Sequence, residues 1–234
     1  MKLQRLYSYV RNAIQDYNMI QDNDNIAIGI SGGKDSLSLL YALSGLRNFY
    51  PHKFSITAIT VNLGYSSPQI FAPIEDLCKK LCVEYTIVNT QINNMIQSDG
   101  CSLCARLRKG ALNEKARELG CNKIAYAHNK DDVVETMLLS LIYEGRFSTF
   151  LPITYLEKTE LSLIRPLIYV PSKEIVGFSN KYQLPIINNP CPFSHETERT
   201  YVRNLLHELN VHAPETTNRM MTAILSGNPD WAKN

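Results

Sequence analysis

Residues 31–36 read Ser-Gly-Gly-Lys-Asp-Ser and stand directly behind an apolar run, Ile26-Ala27-Ile28-Gly29-Ile30. A β-branched run that ends in a Gly-rich turn and opens a helix makes a cradle for phosphates. Glycines let backbone N–H groups approach an anion, and the helix N-terminus adds the positive end of its dipole. Lys34 contributes a mobile cation, and Ser31 and Ser36 contribute hydroxyl donors. Asp35 suits Mg²⁺, a hard cation that accompanies phosphates, and equally suits the first turn of a helix as a dipole-matching acid. The spacing excludes two common alternatives, G-x-x-x-x-G-K-[ST] and G-x-G-x-x-G. A lone Gly-Gly would read as a turn. Six positions of fitting type behind a strand read as a nucleotide site, with Gly32 and Gly33 closest to the phosphates.

The cysteines form a second constellation. Cys101-Ser102-Leu103-Cys104 precedes a predicted helix, where the N-terminal dipole lowers thiol pKa and favours metal binding. Structural zinc wants four N or S ligands, and no second C-x-x-C exists. Cys78 and Cys82 share a helical pattern with Ile74, Leu77 and Leu81 and are expected in the core, as is Cys121 at the start of a strand. Cys191 is held between Pro190 and Pro192, rigidly aimed. Cys101, Cys104 and Cys191 make three thiolates, enough to hold a 4Fe–4S cluster with one iron open to exchangeable ligands. Two other readings stay open: a thioredoxin-like redox pair, and a nucleophile with a resolving cysteine that carries a persulfide. The position of the C-x-x-C far along the chain, after Asp99-Gly100, weighs against the redox pair.

These residues need elements to place them. Leu3, Leu6, Tyr7, Val10, Ile14 and Tyr17 fall at helical spacing and predict an amphipathic helix over 2–20. Strands are predicted at 25–30, 54–62, 84–89 and 122–127, and helices at 35–48, 68–82, 103–119 and 131–144. The alternation argues for a doubly wound parallel sheet with helices on both faces, whose ligand sits at the carboxyl ends of the strands. The 31–36 loop falls at such an end, and so does His128-Asn129-Lys130-Asp131-Asp132, where one of the two aspartates is expected to serve only as a helix cap. Ile30, Val61 and Leu63, at strand ends, would line an adenine. The pattern loosens after residue 145, where six prolines between 152 and 192 punctuate short segments, with helices expected at 172–182, 196–209 and 215–226. The chain divides into an N-terminal helix (1–22), a nucleotide domain with the C-x-x-C (23–170), and a helical C-terminal extension carrying the third cysteine (171–234).

A chain of 234 residues, 44% hydrophobic, supports one sizeable core. No apolar run is long enough to span a membrane, and the N-terminus lacks a signal-peptide pattern, so a cytoplasmic protein with reduced thiols is expected and no membrane partner. Net charge is only +2, yet seven Lys or Arg face two acids between Cys101 and Lys130, a local +5. Such a run is a solvated helix face or a surface for nucleic-acid phosphates.

Five segments occur in order: Ser-Gly-Gly-Lys-Asp-Ser (31–36), Cys-Ser-Leu-Cys-Ala-Arg-Leu-Arg-Lys-Gly-Ala-Leu (101–112), Ala-His-Asn-Lys-Asp-Asp-Val-Val-Glu-Thr (127–136), Ile-Arg-Pro-Leu-Ile-Tyr-Val (164–170) and Pro-Cys-Pro (190–192). Together they resemble the tRNA 2-thiocytidine synthetase family of pyrophosphatase-loop (PP-loop) sulfurtransferases, from about Leu3 to about Leu209. The 101–108 segment is the most specific, because the loop alone also occurs in lysidine synthetases and amide-forming ligases. The third cysteine here stands without a second cysteine nearby, and no flanking zinc-finger pairs are present.

The resemblance implies an adenine nucleotide alpha hydrolase-like, Rossmann-like fold, ATP with Mg²⁺, a 4Fe–4S cluster on Cys101, Cys104 and Cys191, tRNA as substrate and a homodimer. It implies that a base oxygen attacks the α-phosphate of ATP and that sulfur, from a cysteine desulfurase or free sulfide, then displaces AMP. Asp35, Arg108, one of Asp131 and Asp132, and Cys191 take catalytic roles in that scheme. Ile30, Ser31, Gly32, Gly33, Lys34, Ser36, Val61, Leu63, His128 and Asn129 line the nucleotide. Two other classes compete: a PP-loop ligase that adenylates a small molecule and holds a structural metal on its cysteines, and a non-catalytic RNA- or cluster-binding module.

Overall fold

The computed structural model describes residues 1–96, 101–187, 198–227 and 231, without the Cys101 side chain. Its centre is one six-stranded sheet in the order β3-β2-β1-β4-β6-β5. The strands are β1 (Asp24–Gly29), β2 (Phe54–Asn62), β3 (Glu84–Asn89), β4 (Lys123–Ala125), β5 (Ile153–Leu156) and β6 (Leu161–Ile164). The five strands from β3 to β6 in that order run parallel, and β5 pairs antiparallel with β6 at the edge. The helices are α1 (Leu3–Asp16), α2 (Lys34–Leu46), α3 (Ala72–Lys80), α4 (Cys101–Glu118), α5 (Lys130–Glu144), α6 (Ser172–Lys181), α7 (Glu198–His212) and α8 (Thr216–Gly227). None of them is long and apolar enough to cross a membrane.

The alternation read from the sequence is present, and the alternation of burial explains it. On β1, Ile26 and Ile28 enter one apolar cluster with α1, α2, α3, α5 and α6, whereas Ala27 enters another with Ile59, Ile124, Leu163 and the α4 residues Leu112 and Ala116. Successive side chains of a strand point to opposite faces, so a central parallel strand must be apolar throughout. In α1 the buried residues are Leu6, Val10, Ala13 and Ile14, one stripe of a 3.6-residue helix. That stripe, Val202 and Leu206 of α7, Ile224 of α8 and Trp231 all join the larger cluster.

Three expectations change. The 145–170 stretch holds the β5–β6 hairpin, so the sheet is mixed and not wholly parallel. Its four-residue strands are too short to show a period, and the exposed edge position of Tyr155 breaks the apolar run. The predicted 68–82 helix starts with a 3-10 turn at Pro68–Phe71 and ends at Lys80. Cys82 therefore lies past the helix, exposed, with φ of 52°, while Cys78 and Cys121 are buried as expected. Burial pushes the Cys78 thiol up to about 12 and the Cys121 thiol to about 11.

Order in the sheet is reinforced away from the strands' carboxyl ends. Asp24, buried at the start of β1, accepts from Lys123 Nζ at 2.7 Å, from Asn122 Nδ2 at 2.8 Å and from the Gln21 amide at 2.6 Å. These bonds pin the first residues of β1 and β4 side by side. Removing one member of such a buried group strands the other without its counter-charge. Asp24→Ala is expected to lower unfolding free energy by roughly 3 kcal/mol in a denaturant titration; a loss under about 1 kcal/mol would mean the group is not needed for strand order.

Candidate active site

Chain order reverses direction between β1 and β4: β1 to β3 build outward on one side, and β4 returns to the other flank of β1. A crevice opens at the carboxyl ends of two such strands. Here it is a cavity of about 490 Å³, within the range of small-molecule sites. Its floor is the loop from Ile30 to Ser36. Val61, Leu63, Ile70 and Phe71 make an apolar wall, and Arg108, Lys109, Tyr126 and His128 make a polar one.

The loop is tied by its own hydroxyls. Ser36 Oγ accepts from the Ser31 amide at 3.2 Å and donates to the Gly33 carbonyl at 3.0 Å, and the two seryl oxygens lie 3.1 Å apart. Gly32 has φ of +82°, a conformation with little cost only for glycine. Its carbonyl accepts from the Ile187 amide at 3.0 Å, and a Cβ there would sit 3.2 Å from Ile187 Cβ. Gly33 is the N-cap of α2 and supplies no side chain to its first-turn amides. Those amides stay available to an anion.

Asp35, also on the cavity wall, accepts from Lys34 Nζ at 2.7 Å and from Asn129 Nδ2 at 3.0 Å. Asn129 caps α5: its Oδ1 accepts from the amides of Asp131 and Asp132, and its own amide donates to Asp132 Oδ2 at 2.9 Å. The cap predicted as an aspartate is thus the asparagine before it. Both aspartates hold structural bonds behind the cavity. Asp131 Oδ2 accepts from the Ser172 amide at the start of α6, and Asp132 Oδ1 faces Arg199 Nη1 at 3.5 Å. Burial raises the Asp132 carboxyl above its ordinary range, partly offset by the Asn129 amide. Arg203 grips buried Glu135 with two bonds of 2.9 and 3.1 Å.

The polar wall is set by α4 and β4. Gly29 lets α4 approach β1, since a Cβ there would lie 2.8 Å from Leu112 Cδ2. Leu112 and Ala116 are buried under the sheet, and Arg108, one turn earlier, reaches the cavity. Cys101 and Cys104 are three residues apart in sequence at the start of α4. That donor set fits two ligands of an iron–sulfur cluster. Cys104 is half-buried and is not part of the cavity lining. The Cys101 side chain and the whole of Cys191 lie outside the described residues. Among the described residues no group of three or more His, Cys, Asp or Glu is arranged around a metal position.

Of the residues singled out by sequence, Ile30, Ser31, Gly33, Asp35, Ser36, Val61, Leu63, Arg108 and His128 converge on the one cavity. Gly32, Lys34 and Asn129 shape it from behind. Sequence reasoning passed over Lys109 and Tyr126, which line the cavity, and Arg165, Arg199 and Arg203, which support it. Lys109 carried a signal as a member of the basic run between Cys101 and Lys130, and Arg165 as an Arg in an apolar run, Leu161 to Val170.

The fold and the site define a PP-loop protein: residues 4–209 match the PP-loop domain family, and the chain belongs to it. Within that family it belongs with the tRNA-cytidine(32) 2-sulfurtransferases. It is 32% identical to the one from Geobacter sulfurreducens, covering 99% of this chain and 93% of that one, and 38% identical to the one from Aliivibrio fischeri, covering 91% and 71%. Among solved structures, the U34-tRNA thiolase NcsA of Methanococcus maripaludis, determined with its [4Fe-4S] cluster, superposes with a TM-score of 0.77 at 24% identity over 94% of this chain and 77% of its own. The NH3-dependent NAD synthetase of Campylobacter jejuni shares the fold at a TM-score of 0.53 and 16% identity, over 97% and 95% of the two chains.

Two predictions follow from the site's geometry. Gly32→Ala is expected to cost about 1–2 kcal/mol of stability through its left-handed backbone, before any effect on ligand; a neutral outcome by thermal melting would contradict that conformation. Burial lowers the His128 imidazole to about 3 from an ordinary 6.5, with the Arg165 guanidinium the next cause. Between those values the unfolded chain binds the proton and the folded one does not. The stability tied to this group therefore falls as pH drops through the window, by up to about 1.4 kcal/mol per pH unit. His128→Asn should flatten the pH dependence of the denaturation midpoint between about pH 6 and 4; parallel curves would show that the folded ring takes up a proton.

Proposed function

We propose that this chain is an ATP-dependent, iron–sulfur-dependent tRNA sulfurtransferase that replaces O2 of a tRNA cytidine with sulfur. The observation that carries the reading is a juxtaposition. One cavity holds the 31–36 phosphate loop, an apolar wall for adenine, and Arg108, one turn beyond a C-x-x-C at the start of α4. The names of the relatives at 32 and 38% identity supply the substrate.

The steps follow from the residues. The base carbonyl oxygen attacks the α-phosphorus of ATP, and the bond to pyrophosphate breaks. Amides at the start of α2, with Ser31 and Lys34, neutralise the departing pyrophosphate, and Asp35 would hold a Mg²⁺ ion, which would supply further charge neutralisation there. Lys34 now pairs with Asp35, so one side chain exchanges its partner when phosphate and metal arrive. Arg108 faces the charge that builds on the adenylated base. A cluster on Cys101, Cys104 and Cys191 would supply an open iron able to carry sulfide. Sulfur adds at C2 and AMP leaves with the original oxygen. Asp131 or Asp132 would serve catalysis only after exchanging its present bonds, and of the two Asp132 is nearer the Asp35–Asn129 link.

Several supports bear on partners. Arg106, Arg108 and Lys109 are exposed on the first half of α4, beside the cavity mouth, where a phosphate backbone would cross. Exposed Leu141, Ile142 and Phe147 near the end of α5, with Tyr201 of α7, offer an apolar face for a homodimer. Free sulfide or a cysteine desulfurase is the sulfur source in this reading, the setting is cytoplasmic, and the nucleotide domain is 23–170, with 171–234 as the extension that brings Cys191.

The test is anaerobic purification followed by iron, sulfide and zinc analysis and by mass spectrometry of tRNA nucleosides after incubation with ATP and sulfide. Iron with sulfide, and ATP-dependent 2-thiocytidine, are expected. Ala at Cys101, Cys104 or Cys191 should each abolish iron binding, and Ala at Cys78, Cys82 or Cys121 should not. Asp35→Asn should keep ATP affinity and lose turnover. A colourless zinc protein that adenylates a small molecule would overturn the reading in favour of a ligase.

A further inference from the structure

His128 closes the polar wall of the cavity, and one edge of its ring is already committed. Arg165 Nε donates to His128 Nδ1 at 3.3 Å. A guanidinium has no acceptor and does not lose its proton in a protein, so Nδ1 must offer a lone pair. The imidazole proton then sits on Nε2, the ring nitrogen on the opposite side. The arrangement is held firmly. Arg165 is 7% exposed; its Nη1 donates to the Leu151 carbonyl and to Thr154 Oγ1 at 3.1 Å. Its guanidinium lies 4.9 Å over the Phe150 ring, and that ring stacks on His128 with centroids 4.6 Å apart. Arg165 itself is absent from the cavity wall, and His128 is present in it.

The charged and titratable groups that face His128 from neighbouring elements all oppose a second proton. They are Arg165 after β6, Lys109 on α4 and Arg199 on α7; on its own strand segment stands the Tyr126 phenol, which burial keeps neutral. A neutral N–H in this position can donate to an anion in the cavity, and the surrounding cations favour that anion.

Resting on the nucleotide reading above, we propose that Arg165 is a positioning residue that fixes His128 as a neutral imidazole, and that His128 Nε2–H donates to a phosphate oxygen of the bound adenine nucleotide. A consequence is that His128 is neither general base nor general acid in the adenylation. Its basic lone pair is held by Arg165, and a neutral imidazole does not give up its N–H near pH 7. The proton released in the reaction must be handled elsewhere.

Two measurements on the full chain decide this. The first is a long-range ¹H–¹⁵N correlation spectrum of ¹⁵N-histidine protein, with His128 assigned by comparison with His128→Asn. The Nε2–H tautomer is expected, unchanged between about pH 5 and 8, the range in which an ordinary histidine titrates. In Arg165→Met the same signal should begin to titrate or split between tautomers, and Arg165→Lys should restore it in part. An Nδ1–H tautomer, or ordinary titration in the unaltered protein, would overturn the role of Arg165.

The second is calorimetry with ATP, AMP and adenosine. His128→Ala should weaken ATP and AMP roughly tenfold, as for loss of a hydrogen bond to a charged oxygen, and His128→Asn, which keeps a neutral donor, should recover part of it. Adenosine should bind as before. Equal loss for adenosine, or no loss for AMP, would overturn the phosphate contact. If the unaltered protein binds no ATP at all, the nucleotide reading itself fails and the phosphate contact with it, while the tautomer spectrum still decides what Arg165 does.

Discussion

The 3.0 Å bond from Asn129 Nδ2 to Asp35 Oδ1 joins the two helix N-termini that face each other across the switch between β1 and β4. Both ends of that bond do double duty. Asn129 satisfies the first amides of α5 with its carbonyl oxygen and Asp35 with its amide nitrogen. Asp35 sits in the first turn of α2, where its charge complements the dipole, and on the cavity wall. A side-chain amide has one acceptor and two donors, and this position uses both kinds. Aspartate at 129 would cap α5 as well yet lack the donor that orients Asp35.

Around that link the molecule separates rigid support from exchangeable contacts. Behind it, Asp131 caps α6, Asp132 meets Arg199, and Glu135 meets Arg203, so α5 is bonded to both α6 and α7. On the cavity side, Lys34 pairs with Asp35 at roughly a third of full exposure, a contact of small net worth that an arriving phosphate replaces readily. Electrostatic sites work when the donors are already oriented and little has to move. The tied Ser31–Ser36 hydroxyls and the Arg165–His128–Phe150 stack meet that requirement on the two sides of the cavity.

Helix α4 carries Arg108 at the cavity and the C-x-x-C at its start, the two parts that the proposed chemistry would use. Its middle is anchored by Leu112 and Ala116 beneath the sheet, and its approach depends on Gly29 having no side chain. From that anchor one turn leads back to Arg108 at the cavity and one more to Cys104. Ile187, which presses on Gly32 and lines the cavity, precedes Cys191 by four residues. The nucleotide loop therefore borders segments that lead to both cysteine groups, and that adjacency gives a thiolating reading its physical sense.

The sequence alone determined the kind of fold and much of the loop. Apolar runs on β1 and β2, alternating with helical patterns, pointed to parallel strands, and Ser-Gly-Gly-Lys-Asp-Ser behind β1 pointed to a turn suited to an anion, because local periodicity and glycine content act within a few residues. The tertiary structure decided what depends on partners far along the chain. It made Asn129 the cap and freed Asp131 and Asp132 for bonds to α6 and α7, 40 residues and more away. It placed Cys82 outside the helix that its spacing had suggested. It drew the short β5–β6 hairpin into the sheet, where β6 pairs with β4 on one side and carries β5 on the other. It set Arg165 against His128, 37 residues earlier, a contact no local pattern encodes, since charge in an apolar run signals only that some buried partner must exist.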